Sequence, residues 1–436
     1  MITNKVNLIA VGFVAVLQAG TYRFALAGEG EQEEVDLDMV KRTDDVPVPP
    51  MKITKDDYES VEGVKGKQKL PAVPGWVVKE VFYADRDPAY SQAIEKRDAG
   101  NFVTALKGFR IALEKMTDKK WASEYCNFGM ADALYQDNRF SECYEDREGV
   151  RYRKPSEYFR EVIKANPKGR FLLESHVKLA ISLAEEGKME EAQTAFTEAD
   201  GAIKAYREKM IRVDAKYRDI AEKYRVMAVM GNARMLEKKA DGQGDNADYN
   251  SALSKNKDAQ SASTGKYPEV YADAVDGELR VLTKMKDYVS ANMRAQSILD
   301  QFKQKPEPEL YRMLPGAHAV KGMSSYSQAV EAKEKKQVVQ ANKLFAEARW
   351  EFLHIVVKFF DNDDYLAQAH YFVGMCYAGL KNEESDAMVK AVRHWRSVVE
   401  KFPHSRFKLL AEDELKSADP APVLPKEEPK KIGEKS

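Results

Sequence analysis

Little in this 436-residue chain is suited to covalent or metal chemistry. Its three cysteines, Cys126, Cys143 and Cys376, are too few for a disulfide framework. Its six histidines (His176, His318, His354, His370, His394 and His404) include no H-E-x-x-H pair and no partner at zinc-ligand spacing. No G-x-S-x-G elbow, phosphate loop or G-x-G-x-x-G turn occurs. The acidic run 361–364 lacks the glycine and distal glutamate of a calcium loop and reads as a solvated turn. We therefore expect no catalytic residue, no cofactor and no metal site. An excess of one charge is also missing: Lys+Arg 69 against Asp+Glu 70 leaves a net charge of -1. A nucleic-acid partner needs a basic face to displace counterions, so none is expected, and no small-molecule substrate either.

Long apolar runs are likewise absent beyond the first residues. Lys5 precedes an apolar stretch from Val6 to Ala19, and Ala25-Leu26-Ala27 supplies a small-x-small peptidase site before Gly28. A membrane span needs about 20 apolar residues, and Arg23 ends this run too early. Residues 1–27 thus read as a cleaved signal peptide. The product is expected to be exported, not to span a membrane, and to be at most peripheral to envelope complexes.

Residues 28–50 carry eight acids and end in Pro47, Pro49 and Pro50, the composition of a disordered linker. Residues 51–84 hold Gly63, Gly66, Pro71, Pro74 and Gly75 around the strand-forming run Trp76–Tyr83, which predicts a small β-rich module packed on the first helices. From 88 to 416 the apolar residues recur with the period of a helix. A polar stretch at about 241–266 interrupts them and reads as a disordered loop, after a long charged helix at 203–240. Residues 417–436, rich in proline and lysine, read as a disordered tail.

Within the helical region the same ladder of residues returns. One copy is Ala93, Gly100, Phe102, Ala105, Phe109 and Ala112. The clearest is Ala180, Leu183, Gly187, Met189, Ala192, Phe196 and Ala199. A third is Gly374, Tyr377, Ala391, Trp395, Val398 and Pro403. Weaker copies surround Tyr158–Ile163, Leu279–Ile298 and Phe352–Phe360. Each copy supplies two apolar helical faces with a tight turn between them.

This ladder resembles the tetratricopeptide (TPR) repeat. The phrases Gly374–Tyr377 and Trp395–Ser405 are similar to those of bacterial periplasmic TPR proteins, especially the outer-membrane assembly and Tol–Pal-associated kinds. The resemblance implies an all-α fold, a TPR-like α-solenoid of antiparallel helix pairs behind the small N-terminal β segment. It also implies a non-enzymatic scaffold or adaptor that holds a protein or peptide partner in the periplasm. A structural subunit of a large envelope assembly is the alternative. In the resemblance, first-helix positions line a concave groove, and Lys and Asn there grip a chain-terminal carboxylate. Those positions hold Tyr90 and Ile94, Val177 and Ile181, and Tyr371 and Met375. Each pair lies four apart on one helical face, so the six residues are the expected partner-binding set, apolar in character.

The thiols allow two registers. If the second helix follows directly on the turn at 136–139, Cys126 and Cys143 are offset too far along the axis to bond. If that helix starts at Pro155, Cys143 falls in an insertion and a bond becomes feasible. Free thiols are the expected state. N-terminal sequencing of protein recovered from its native envelope should begin at Gly28 or within a few residues of it, and an intact Met1 would overturn the export reading.

Overall fold

The computed structural model describes residues 37–418 apart from 141–142, 245, 360–362 and 404. The signal segment 1–27, the tail from 419 onward and the acidic turn at 361–362 lie outside the described residues.

Six strands come first: β1 Met39–Arg42, β2 Lys52–Asp56, β3 Ser60–Lys65, β4 Gln68–Lys69, β5 Val73–Pro74 and β6 Val78–Phe82. Strand β1 pairs antiparallel with β6, Val40 opposite Val81. The other sheet runs β2-β3-β4, with β5 on the remaining part of β3. β1 comes from the stretch expected to be a disordered linker, and from Leu37 onward that reading is corrected. Two features order it. Val40 is buried, and the Asp38 carboxylate, 1% exposed, accepts the backbone N–H groups of Ile53 at 2.8 Å and Ala84 at 2.9 Å. One buried carboxylate thus ties β1, β2 and the end of β6 together. A count of acids sees charge but not the donors that will surround it.

The helices then pack as consecutive pairs: α1 Pro88–Asp98 with α2 Phe102–Lys115, α3 Lys120–Gln136 with α4 Pro155–Ala165, and α5 Leu172–Glu185 with α6 Met189–Met210. They continue as α7 Tyr217–Gln243 with α8 Asn246–Ser263, and α9 Pro268–Lys284 with α10 Tyr288–Gln304. The one-turn α11 Pro308–Tyr311 precedes α12 Leu314–Glu334 with α13 Val338–Lys358, then α14 Asp363–Gly379 with α15 Ala387–Lys401. A last helix, α16 Phe407–Ser417, packs on α15. The fold is all-α, a TPR-like solenoid of helix pairs with a small N-terminal sheet segment.

The ladder residues are where a helix pair needs them. Ala93, Ala105, Ala112, Ala180, Ala192, Ala199, Ala391 and Val398 are all at most 1% exposed. Gly100 and Gly187 sit in the tight turns with φ of 75° and 78°, a left-handed conformation that costs a residue with a Cβ roughly 1–2 kcal/mol. The turns of the weaker copies use the same conformation without glycine: Asn138 at φ 54°, Lys286 at 59° and Lys336 at 61°.

Two expectations inside the array are corrected. The charged stretch 203–240 is not one helix: α6 stops at Met210 and α7 starts at Tyr217. Between them the chain turns under the strand module, where the Tyr217 hydroxyl accepts the Gly75 N–H at 3.0 Å and donates to the Glu59 carbonyl. The polar stretch 241–266 is not a loop. It is α8, whose inner face is Ala252, Asn256, Ala259 and Ser263. That face has helical spacing, but its residues are small or polar, so hydropathy carries no trace of it. All three cysteines are free, and the register is the one with the second helix starting at Pro155 and Cys143 in the intervening insertion.

The module docks on the helices through charge. Asp56 at the end of β2 accepts a hydrogen bond from Tyr83 at 2.8 Å and further bonds from Tyr125 of α3 and from Arg170 before α5. Beside it, Glu124 is 5% exposed and accepts from Asn166 Nδ2 at 2.8 Å. Burial, aided by the nearby Asp56 charge, pushes the Glu124 carboxyl up to about 7. A carboxyl raised from its ordinary value of 4.5 imposes no cost while both folded and unfolded states are protonated, and a growing cost as pH rises toward 7. The full difference is on the order of 3 kcal/mol. Glu124→Gln should therefore raise the melting temperature at pH 8 and match the wild type near pH 4. Thermal melts across that range check this, and a gain that persists at pH 4 would refute the titration of Glu124 as the cause.

Candidate functional site

Four of the six apolar residues expected to line a groove are not on the surface. Tyr90, Val177, Ile181 and Tyr371 are buried, Val177 completely, while Ile94 and Met375 are half-buried. The positions follow from the stacking. Tyr90 packs edge-on against Phe109 and Trp121, and Tyr371 packs edge-on against Phe372 and at a tilt against Phe407. Ile181 packs against the backbone of α7 at Gly231. Neighbouring helices thus cover the faces of Tyr90, Val177, Ile181 and Tyr371, and the exposed-groove reading of these four is corrected, while Ile94 and Met375 remain partly exposed. His176 also points inward from α5. Its Nδ1 is buried without a hydrogen-bond partner, and burial lowers its pKa.

A different groove opens on the surface. It holds a cavity of about 290 Å³ lined by Gln193, Phe196, Thr197 and Asp200 of α6, Arg225, Ala228, Val229 and Asn232 of α7, and Lys255 of α8. Its layout follows from how the helices run. Tyr206 meets Tyr217 at a ring distance of 6.1 Å, and Phe196 lies against Gly231, so α6 and α7 are antiparallel, with Gln193 level with Asn232 and Asp200 level with Arg225. Lys239 pairs with Asp248 at 2.9 Å and Tyr249 donates to Asp241 at 2.6 Å, which sets Lys255 level with Asn232. One end of the groove is therefore Gln193, Asn232 and Lys255. Phe196, Ala228 and Val229 form the floor, and Asp200 with Arg225 closes the other end. Arg225 is already engaged by Glu222 through two bonds of 2.9 and 2.6 Å. Lys255 has no hydrogen-bond or ion-pair partner among the described residues, and neither have the side-chain amides of Gln193 and Asn232.

Several of the other half-buried charges are paired with one another. Lys178 bridges Asp132 and Glu174, both at 2.6 Å, beneath the rings of Phe128 and Tyr135. Burial opposes the ionisation of Glu237, but the charges of Arg280 and Lys284 hold its carboxyl down to about 2. These pairs join α3 to α5 and α7 to α9. In α14 and α15, His370 and His394 face each other with Nδ1 atoms 2.9 Å apart. Burial, with Lys401 near the first and the first near the second, pushes both down to about 4, so both are neutral at pH 7. No group of three or more His, Cys, Asp or Glu among the described residues is placed to hold a metal ion. No described helix is long and apolar enough to cross a membrane.

No family model matches the chain, and no curated protein matches it. Solved structures do. One is the crystal structure of the P58(IPK) TPR domain at 2.5 Å, with 11% sequence identity over 76% of this chain and 96% of that one, at a TM-score of 0.19. An overlap that loose carries no argument, and the repeat architecture rests on this chain's own helix pairing.

The buried positions make a direct forecast. Val177→Glu places an unpaired carboxylate where no water reaches, which costs several kcal/mol. The variant should melt well below the wild type, whereas Thr197→Glu on the open groove wall should melt within about 0.5 kcal/mol of it. Equal melting of Val177→Glu and wild type would return position 177 to the surface.

Proposed function

We propose that this chain is a non-enzymatic protein-binding scaffold of the bacterial cell envelope, exported to the periplasm and similar to the TPR proteins of outer-membrane assembly and Tol–Pal systems. The export part rests on Lys5, the apolar stretch from Val6 and the Ala25-Leu26-Ala27 site. The binding part rests above all on one observation: the groove across α6, α7 and α8, whose amides and one lysine have no partner among the described residues while its floor is apolar. Unpaired polar groups beside an apolar floor are what a polypeptide partner satisfies on arrival. The scaffold around the groove is stiffened by the paired charges described above, so the groove is presented preformed and less is lost on ordering it.

A second reading, a structural subunit of a larger envelope assembly, is favoured by α13, where Val339, Trp350 and Val357 are 86%, 63% and 71% exposed. Large apolar side chains in the open are typical anchors of fixed contacts.

Photocrosslinking in intact cells distinguishes the two. A crosslinking residue at Thr197 should give discrete protein adducts, and one at Lys67, exposed in the β3–β4 turn of the strand module, should give none. Adducts from Trp350 with none from Thr197 would replace the adaptor by the subunit, and silence at both positions would sink the scaffold reading.

A further inference from the structure

The groove's chemistry is more specific than protein binding in general, and a ligand assigned to it rests on the scaffold reading above. Lys255 is half-buried on α8, yet no described carboxylate reaches it. Several half-buried cations of the array are matched, Lys178 by Asp132 and Glu174, Lys238 by Glu185 at 2.5 Å and Arg280 by Glu237 at 3.1 Å, whereas Lys154 and Arg396, like Lys255, have no such partner among the described residues, and of these three it is Lys255 that lines the groove. Desolvating an ammonium without a counter-charge is unfavourable, so the unmatched Lys255 attracts an anion. The Arg225 end does not compete for that anion, because Glu222 already holds the guanidinium and Asp200 faces it.

The flanking groups narrow the choice. Asn232 and Gln193, level with Lys255, each offer a donor and an acceptor, the complement of a peptide unit or of a carboxylate held on a lysine. From Gln193 to Asp200 the groove runs seven helical positions, roughly 10 Å, which about three residues of extended chain would span. Half-buried Val229, with the nearly covered Phe196 and Ala228 beneath it, fits an apolar side chain in the middle. Polar groups stand at both ends, which suits a chain that passes through. A chain terminus would need them at one end only.

We propose that the α6–α7–α8 groove binds an extended internal segment of a partner protein, seating an aspartate or glutamate side chain on Lys255, Asn232 and Gln193. An apolar residue about two positions away lies on Phe196 and Val229. The partner is thus an acidic-apolar peptide segment, recognised through one carboxylate.

The test uses the mature full-length protein and fluorescent seven-residue peptides, acetylated and amidated at their ends. One pool carries a fixed central Glu with Leu two residues away, and its twin carries Gln in place of Glu. Anisotropy titrations should show the Glu pool binding at least about tenfold more tightly than the Gln pool, the scale of one charge-assisted hydrogen bond. Lys255→Met should erase that difference and Lys255→Arg should keep most of it, both with unchanged helical circular dichroism. Asn232→Leu, on a separate helix, should weaken the Glu pool as well. Equal affinity for the two pools, no binding of either, or a Glu preference that survives Lys255→Met would each overturn the proposal. So would binding confined to peptides with a free C-terminus, which would make the occupant a chain end. The crosslinks from Thr197 are read independently of these titrations, so a scaffold without acidic-peptide preference stays distinguishable from no scaffold at all.

Discussion

Aromatic rings seated on helical glycines set the spacing of this array. A Cβ at Gly129 of α3 would lie 2.6 Å from the ring of Phe109 on α2, and one at Gly322 of α12 would lie 2.8 Å from Phe352 on α13. Gly379 receives Phe345, Gly374 receives Trp395, and Gly231 receives both Ile181 and Phe196. A glycine inside a helix costs about 1 kcal/mol in helix propensity. That cost is offset where its missing side chain lets a whole ring reach the backbone of the next helix and bury on both faces. Since the ring comes from one helix and the seat from its neighbour, each contact fixes an interhelical distance. The succession of contacts carries the spacing along the stack.

The apolar sockets say how close helices come, and the buried charges say which helices meet. Asp56 collects Tyr83, Tyr125 and Arg170 and so joins the strand module to two helix pairs. Glu237 with Arg280 and Lys284 joins α7 to α9. Breaking one partner of such a pair leaves a buried charge, a loss of about 3–5 kcal/mol, so a slipped register is heavily disfavoured. The same rule gives the groove its character. Lys255 has no such match among the described residues, and it lines the groove.

The helix pairs were legible because alanines and aromatics recur at helical spacing around turns marked by Gly100 and Gly187. Where Lys286 and Lys336 take the same left-handed turn, composition offers no sign, and those pairs read as weaker copies. Helix α8 was illegible for a different reason: Ala252, Asn256, Ala259 and Ser263 pack by being small, and Asn256 sits against Gly277 of α9. The groove therefore lay partly in a segment that hydropathy assigns to a loop. Its one trace in the chain was a spacing of small residues at i, i+4, i+7 and i+11.

Residue order alone was enough for the local half of this protein. It marked the helix pairs of the three full ladder copies, their tight turns and the strand run before the array, because each depends on residues a few positions apart. It also marked Tyr90, Val177, Ile181 and Tyr371 as apolar faces. What covers those faces was settled by packing, since periodicity reports that a face is apolar and is silent on whether solvent or another helix meets it. Asp38 and Lys255 show the same divide for charge. One carboxylate finds two backbone donors and is buried, while one lysine meets no carboxylate among the described residues and stays half-buried at the groove. That outcome turns on residues from other helices and strands arriving, or not arriving, within hydrogen-bond reach.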